Sequence, residues 1–338
     1  MTSAEPMRLR LGASNVYALR GPAGVTLIDA GPDYDGAWDD LIDQLARRGI
    51  TPRDVRAVVL THHHGDHAGL AARWQATGAV LCAGQGDEPY LAMDSPARLE
   101  ARERVVAALI EHGAPEAVAR TALERAGRGG GNSDGFGGWP GPLRMTPVIP
   151  DRLLRDGDSV DGGALDGRVI ACPGHTPGAI VVCDRRGGAL YTGDHLLPRK
   201  VATAGIQFGA DGRLRSLPRF YRSLRRLDDP AYEGVWAYPG HGAIIADVRA
   251  EARWSRRHIE RRARRLHGRL AAGPSTAFDL SLAIFPRLQP EHTLAVLAET
   301  MGLLDLLVDN GYARPAPGGV IARYVTAERR FAYDDPLD

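Results

Sequence analysis

Four times along this chain an apolar run rich in β-branched or aromatic residues halts at a turn that carries His or Asp. The segments are VRAVVL running into THHHGDH at 55–67, GRVIACPGHTPG from 167, GALYTGDH from 188 and GVWAYPGHG from 234. Strands form a rigid frame, and the loops at their ends present side chains. The recurrence predicts a sheet-based fold in which one site is assembled from several strand ends. Around these segments, NVYALRG and VTLIDAG read as a hairpin, AWDDLIDQLARRGI as a helix ending at Gly49, and HAGLAARWQATG as a helix directly after the histidines. Strands alternating with helical stretches predict an α/β class.

With 338 residues the chain exceeds one average domain, so one large domain with a smaller appendage is expected. Its apolar share of 44% and charged share of 25% are those of an ordinary globular protein, and its net charge of +1 provides no global field for nucleic acid or an anionic membrane. Lys200 is the sole lysine; every other basic residue is Arg. Cys82, Cys172 and Cys183 form no CxxC pair and are odd in number, which argues against a disulfide framework and fits a reducing compartment. The N-terminal stretch lacks the apolar run of a signal peptide, and no run of about 18 uncharged apolar residues occurs, so a cytoplasmic location away from membranes is expected.

Between 84 and 150 two helices, SPARLEARERVVAALIEHG and APEAVARTALERAG, precede the glycine-rich GRGGGNSDGFGGWPGP. This segment reads as an insertion that folds over the site, with Phe136 and Trp139 as apolar cover against the substrate. A catalytic domain over 1–250 is then followed by a helical unit over 251–338. Three helices and the hairpin YARPAPGGVIARYV spell a winged helix, with Thr276 and Asp279 as a capping box on the second helix.

Four histidines and an aspartate occupy residues 62–67. In an extended segment His62 and His64 project to one side and His63 to the other, so two imidazoles can chelate one ion. Asp66 and His67, at the start of the next helix, can be aimed at a second point close by. Neutral imidazole is a preferred ligand of borderline metals, and a crowd of imidazoles after a buried strand supplies core volume poorly. His112, His258, His267 and His292 lie on helical segments without ligand spacing and are expected to be solvated.

The HxHxDH spacing resembles the metallo-β-lactamase superfamily. Further matching elements follow in order: Asp29 in LIDAG, His175 in CPGHTPG, Asp194 in TGDH and His241 in PGHG. The resemblance spans roughly residues 15 to 246 and implies an αββα sandwich with its site on one edge. It also implies that His62, His64 and His175 bind one ion, that Asp66, His67 and His241 bind another, and that Asp194 bridges them. Asp66 and Asp194 are then the catalytic carboxylates. Asp29 holds the ligand loop from behind, and His195 stands beside the bridging Asp. Three protein ligands and an open position are the arrangement of catalytic zinc, and two nearby dications need shared anions between them. Two zinc ions per chain are expected, with iron or manganese as substitutes.

What the resemblance implies chemically is a dizinc hydrolase in which a bridging hydroxide attacks the ester, thioester or lactone of a small acyl substrate. PGHTPG is similar to glyoxalase II and its thioesterase kin, but HLLPRKVATAGI stands where glutathione-recognition segments are expected after Asp194. Arg199 and Lys200 are candidates to anchor a substrate carboxylate or phosphate. The rival reading is a metal-dependent endoribonuclease, because a winged helix after such a domain resembles the β-lactamase-like protein 2 group. Against it, residues 288–310 contain Glu291, Glu299, Asp305 and Asp309 and no Lys or Arg, which disfavours nucleic acid as a partner. The apolar stripe of the same helix suits packing against the catalytic domain or a second copy in a homodimer. A non-catalytic binding protein is the third reading.

Overall fold

The computed structural model describes residues 6–128, 142–161, 165–185, 188–289, 292–329, 331 and 337. Phe136 and Trp139, with the glycine-rich cover, lie outside the described residues. In chain order the first half contains β1 (Met7–Leu11), β2 (Ser14–Gly21), β3 (Gly24–Ile28), α1 (Ala37–Ala46), β4 (Val55–Leu60), α2 (Gly65–Ala68), α3 (Ala71–Ala76), β5 (Val80–Gly84), α4 (Glu88–Leu91), α5 (Ser95–Glu111), α6 (Glu116–Arg128) and β6 (Arg152–Leu154). The second half contains β7 (Ser159–Asp161), β8 (Asp166–Ala171), β9 (Ile180–Asp184), β10 (Ala189–Gly193), β11 (Phe208–Gly209), β12 (Gly212–Arg213), α7 (Ser216–Leu227), β13 (Trp236–Pro239), α8 (Val248–Leu270), α9 (Ala277–Ile284), α10 (Thr293–Asp309), β14 (Ala313–Pro315) and β15 (Tyr324–Thr326).

Strands β1 to β6 form one six-stranded sheet in sequence order, and a five-stranded sheet runs β13-β10-β9-β8-β7. Three apolar clusters define the layers. One lies between the sheets, where Tyr17, Ile28, Val59 and Cys82 of the first meet Val169, Ile180, Val182 and Tyr191 of the second. A second packs Leu41, Leu45 and Trp74 of α1 and α3 on the outer face of the first sheet. The third covers the other sheet with α7 and α8, through Phe220, Leu224 and Ile259 against Val181 and Leu190. Helices therefore flank two packed sheets, the expected α/β sandwich. Buried on both faces, the end of β4 that leads into the histidine loop reads as the apolar run VVL at 58–60.

Every loop that carries a candidate ligand leaves a strand end: β4 runs into 61–67, the β8–β9 turn carries His175, β10 ends before Asp194 and β13 before His241. The helix expected at 67–78 is interrupted between α2 and α3. Leu70 gives its N–H to Gly31 O at 3.0 Å, so the tertiary contact takes a donor that a continuous helix needs internally.

After residue 250 the chain forms α8, α9, α10 and the short antiparallel pair β14–β15. α10 sits deep: Leu297, Met301, Leu304 and Leu307 are buried in the cluster that includes the second sheet, α7 and α8. Its acids are engaged in ion pairs. Asp305 accepts two bonds from Arg213 at 2.7 and 2.8 Å, and Glu299 lies 2.6 Å from Arg262. The expectation that His112 is solvated is overturned. It is buried between α5 and the C-terminal pair, its Nδ1 2.8 Å from Ala108 O and its Nε2 3.2 Å from the Tyr324 hydroxyl. No helix among the described residues is long and apolar enough to cross a membrane.

Candidate metal centre

Three overlapping groups of potential ligands meet where the loops converge: His62, His64 and His175; His62, His67 and Asp194; Asp66, His67 and His241. Within each group the donor atoms lie within 4.8 Å of one another. The rings of His62, His64 and His175 stand edge to face with centroids 4.5 to 4.8 Å apart. On the other side, Asp66 Oδ2 lies 3.0 Å from His241 Nε2 and 3.4 Å from His67 Nε2. Asp194 stands between the two sides, with Oδ1 3.4 Å from His67 Nε2 and Oδ2 3.7 Å from His175 Nε2 and 3.5 Å from His241 Nε2.

The outward nitrogens are held by the fold, which aims the inward ones. His175 Nδ1 donates to Thr203 O at 3.0 Å, and His241 Nδ1 donates to Ala13 O at 2.9 Å. The Thr61 hydroxyl gives its proton to Asp29 Oδ1 at 2.9 Å and can only accept from His62 Nδ1, 3.1 Å away. A carbonyl or an already committed hydroxyl requires an Nδ1–H, so in the neutral ring Nε2 presents its lone pair inward. Asp29 completes the support. Its Oδ1 accepts Thr61 N–H at 2.7 Å, its Oδ2 accepts His67 Nδ1–H at 2.8 Å, and it occupies a left-handed backbone conformation at φ 65°. Asp tolerates that region better than most residues.

The electrostatics fit divalent cations. Burial, followed by the neighbouring imidazoles, holds His62 and His64 well below their ordinary 6.5, so both rings are neutral donors. His62 Nε2 and His64 Nδ1 are buried without a hydrogen-bond partner, an arrangement costly for a polar atom unless something else binds it. His241 and His67 behave in the opposite way. Burial opposes their charge, but Asp194 and Asp66 outweigh it, pushing His241 up to about 9 and His67 well above its ordinary value. The two carboxylates thus favour positive charge at this point, a role that a bound cation would take over.

Close packing makes Gly240 obligatory. A Cβ there stands 2.5 Å from His67 Cε1 and 2.6 Å from Asp194 Oδ1. His195 is buried, pushed down to about 3 by desolvation, and its ring meets Phe220 of α7 at 4.8 Å. Arg199 turns to α8, 3.7 Å from Glu251 and over the Trp254 ring at 5.6 Å. Lys200 lines a cavity of about 130 Å³ with Thr203, Arg262 and Glu299.

One functional residue is missed by the sequence reading. Asp87, fully buried just after β5, accepts His63 N–H at 2.9 Å, the Thr176 hydroxyl at 2.8 Å and Gly178 N–H at 2.7 Å. It lies 3.1 Å from His63 Nδ1, and the His63 ring stacks on Tyr90 at 4.4 Å. A single carboxylate thus ties the 61–67 loop to the loop bearing His175. A signal exists, since Asp87 stands on a turn after a strand like the other acids of the site, but GQGDEPY reads as the start of the insertion.

The sequence profile of the metallo-beta-lactamase superfamily matches residues 9–253. The chain is 31% identical over 316 residues to the probable metallo-hydrolase YqjP of Bacillus subtilis (strain 168), covering 89% of this chain and 90% of that one. It is 28% identical over 190 residues to the acyl-coenzyme A thioesterase MBLAC2 of Gallus gallus, covering 54% and 57%. Among solved structures, the metallo-beta-lactamase family protein TTHA1429 from Thermus thermophilus superimposes with a TM-score of 0.74 at 30% identity, covering 95% of this chain and 98% of that one.

Proposed function

Because the chain belongs to the metallo-beta-lactamase superfamily, we propose that it is a metallo-hydrolase that uses two divalent cations to cleave small acyl esters, thioesters or lactones, thioesters foremost. The observation that carries this reading is the overlap of the three donor groups, which share His62 and His67 and have Asp194 between their two sides. His62, His64 and His175 would hold one cation and Asp66, His67 and His241 the other, with Asp194 shared. Five imidazoles and two carboxylates form a mixed nitrogen and oxygen set, which suits zinc, with iron or manganese as substitutes. Such a pair of cations supplies water activated at neutral pH and polarises a carbonyl oxygen.

The rest is the work of the chain. Asp66 and Asp194 carry the two negative charges that offset the cations. Asp29, Thr61 and the carbonyls of Ala13 and Thr203 hold the imidazoles in the required tautomer, so the donors need no rearrangement. Thioesters come first because the similarity to an acyl-coenzyme A thioesterase covers half the chain and PGHTPG resembles thioesterase kin. Nucleic acid is disfavoured as substrate: Glu299, Asp305 and Asp309 of α10 are engaged by Arg262, Arg213 and Arg215, and the helix packs as core. In this reading the winged-helix-like unit from 251 supports the catalytic domain.

The test is a panel of acyl-thioesters, esters and lactones offered to zinc-loaded protein. Thioester turnover that disappears on chelation and returns with zinc is expected. A loaded protein that leaves the whole panel untouched contradicts the proposal.

A further inference from the structure

The outer side of α7 carries charge that the metal centre does not use. Arg219, Arg222 and Arg226 line an open pocket of about 420 Å³ whose other side is Asp156, Ala171 and Pro173. At spacings of three and four residues the arginines share a helix face. Asp156 is already committed, accepting from Arg226 at 2.9 and 3.0 Å and from Ala171 N–H at 2.8 Å. Asp309, 4.0 Å from Arg222, is also paired with Arg215. Arg215, Arg222 and Arg226 thus share two carboxylates while Arg219 pairs with neither, a local positive excess on a chain whose net charge is only +1.

This face is fastened to a ligand loop. Ser223 Oγ donates to Pro173 O at 2.9 Å and Arg226 Nη1 to Ala171 O at 2.7 Å. Gly174 has φ +141°, and a Cβ there would lie 2.3 Å from Phe220 N, so α7 presses directly on the backbone preceding His175. The pocket thus shares Pro173 with the loop that carries His175, two residues further along the chain.

The geometry points to this pocket as the seat of the phosphate groups on the substrate's thiol carrier, so that the substrate is a nucleotide-bearing thioester. The inference rests on the thioester reading above. Guanidinium forks match phosphate oxygens in pairs. Arg226, pinned by Asp156 and Ala171, supplies fixed charge, and the half-buried Arg219 and exposed Arg222 close on the ligand.

Calorimetric titration of zinc-loaded protein with free coenzyme A and with pantetheine, which lacks the nucleotide, reads the pocket directly. Wild type is expected to bind coenzyme A about tenfold or more tightly than pantetheine. The preference should shrink with added salt and vanish in the Arg219→Gln/Arg222→Gln double variant. In parallel, an acyl-coenzyme A and the N-acetylcysteamine thioester of the same acyl group are compared as substrates. The double variant should raise KM about tenfold for the first alone, with kcat unchanged for both. Equal binding of coenzyme A and pantetheine by wild type, or equal losses for both in the variant, would overturn the inference. Arginine-dependent coenzyme A binding in a protein that hydrolyses neither thioester overturns the thioester reading and leaves the phosphate seat standing.

Discussion

Asp29 Oδ2 accepts the Nδ1 proton of His67 at 2.8 Å, so a carboxylate on the turn after β3 orients a donor from α2, across a separation of 38 residues. Supporting partners of this kind set both the tautomer and the basicity of a metal-binding imidazole. Asp29→Asn should keep the fold yet weaken metal binding about 10- to 100-fold. Competition with a chromophoric chelator measures this; an unchanged affinity would show that His67 is oriented by other contacts.

Asp87 satisfies three donors from two loops. Asp87→Ala leaves the N–H groups of His63 and Gly178 and the Thr176 hydroxyl buried without their partner. With each such orphan costing about 1–3 kcal/mol, an overall loss of about 3 kcal/mol or more is expected. Urea unfolding of the metal-free variant reads this directly, and a loss below about 1 kcal/mol would mean that the loops are joined by other means.

Gly240→Ala tests how closely the donors are packed. The added methyl falls on His67 Cε1 and Asp194 Oδ1, so the two must part. A displacement approaching 1 Å costs about 100-fold in kcat/KM. Circular dichroism should remain that of the wild type while turnover falls; full activity would contradict the packing described.

His112 makes stability depend on pH away from the metal centre. Burial lowers its folded value below the ordinary 6.5, so the folded ring stays neutral under conditions in which the unfolded ring is charged. Its contribution is complete above about pH 6.5 and is lost as pH falls, by at most about 1.4 kcal/mol per unit, until the folded value is reached. Denaturant titrations at about pH 7 and pH 5.5 on wild type and His112→Asn should show the stability difference shrinking in acid. A difference independent of pH would mean that the ring takes up protons equally in the folded and unfolded states.

What can be read from the residues is whatever depends on local periodicity. His62 and His64 share a side because an extended segment alternates, and the strand runs before each ligand loop announce themselves by composition. The helix break at Leu70 cannot be read, because the acceptor for its N–H is Gly31, brought there by the sheet. His112 is equally opaque: its partner Tyr324 lies 212 residues away, and nothing in a helical histidine's neighbours reveals that burial. Asp87 falls between these cases, with a strand-end position legible in the sequence but its three donors supplied by two loops, one of them far along the chain.

The central claim is that His62, His64, Asp66, His67, His175, Asp194 and His241 hold two cations with Asp194 shared between them. Elemental analysis of purified protein, coupled to turnover, tests it most directly on wild type and Asp194→Ala. Two equivalents of metal per chain in wild type, falling to one or none with lost turnover in the variant, is the predicted result. A wild type that never binds more than one equivalent, or a variant that keeps both metals and its activity, would contradict it.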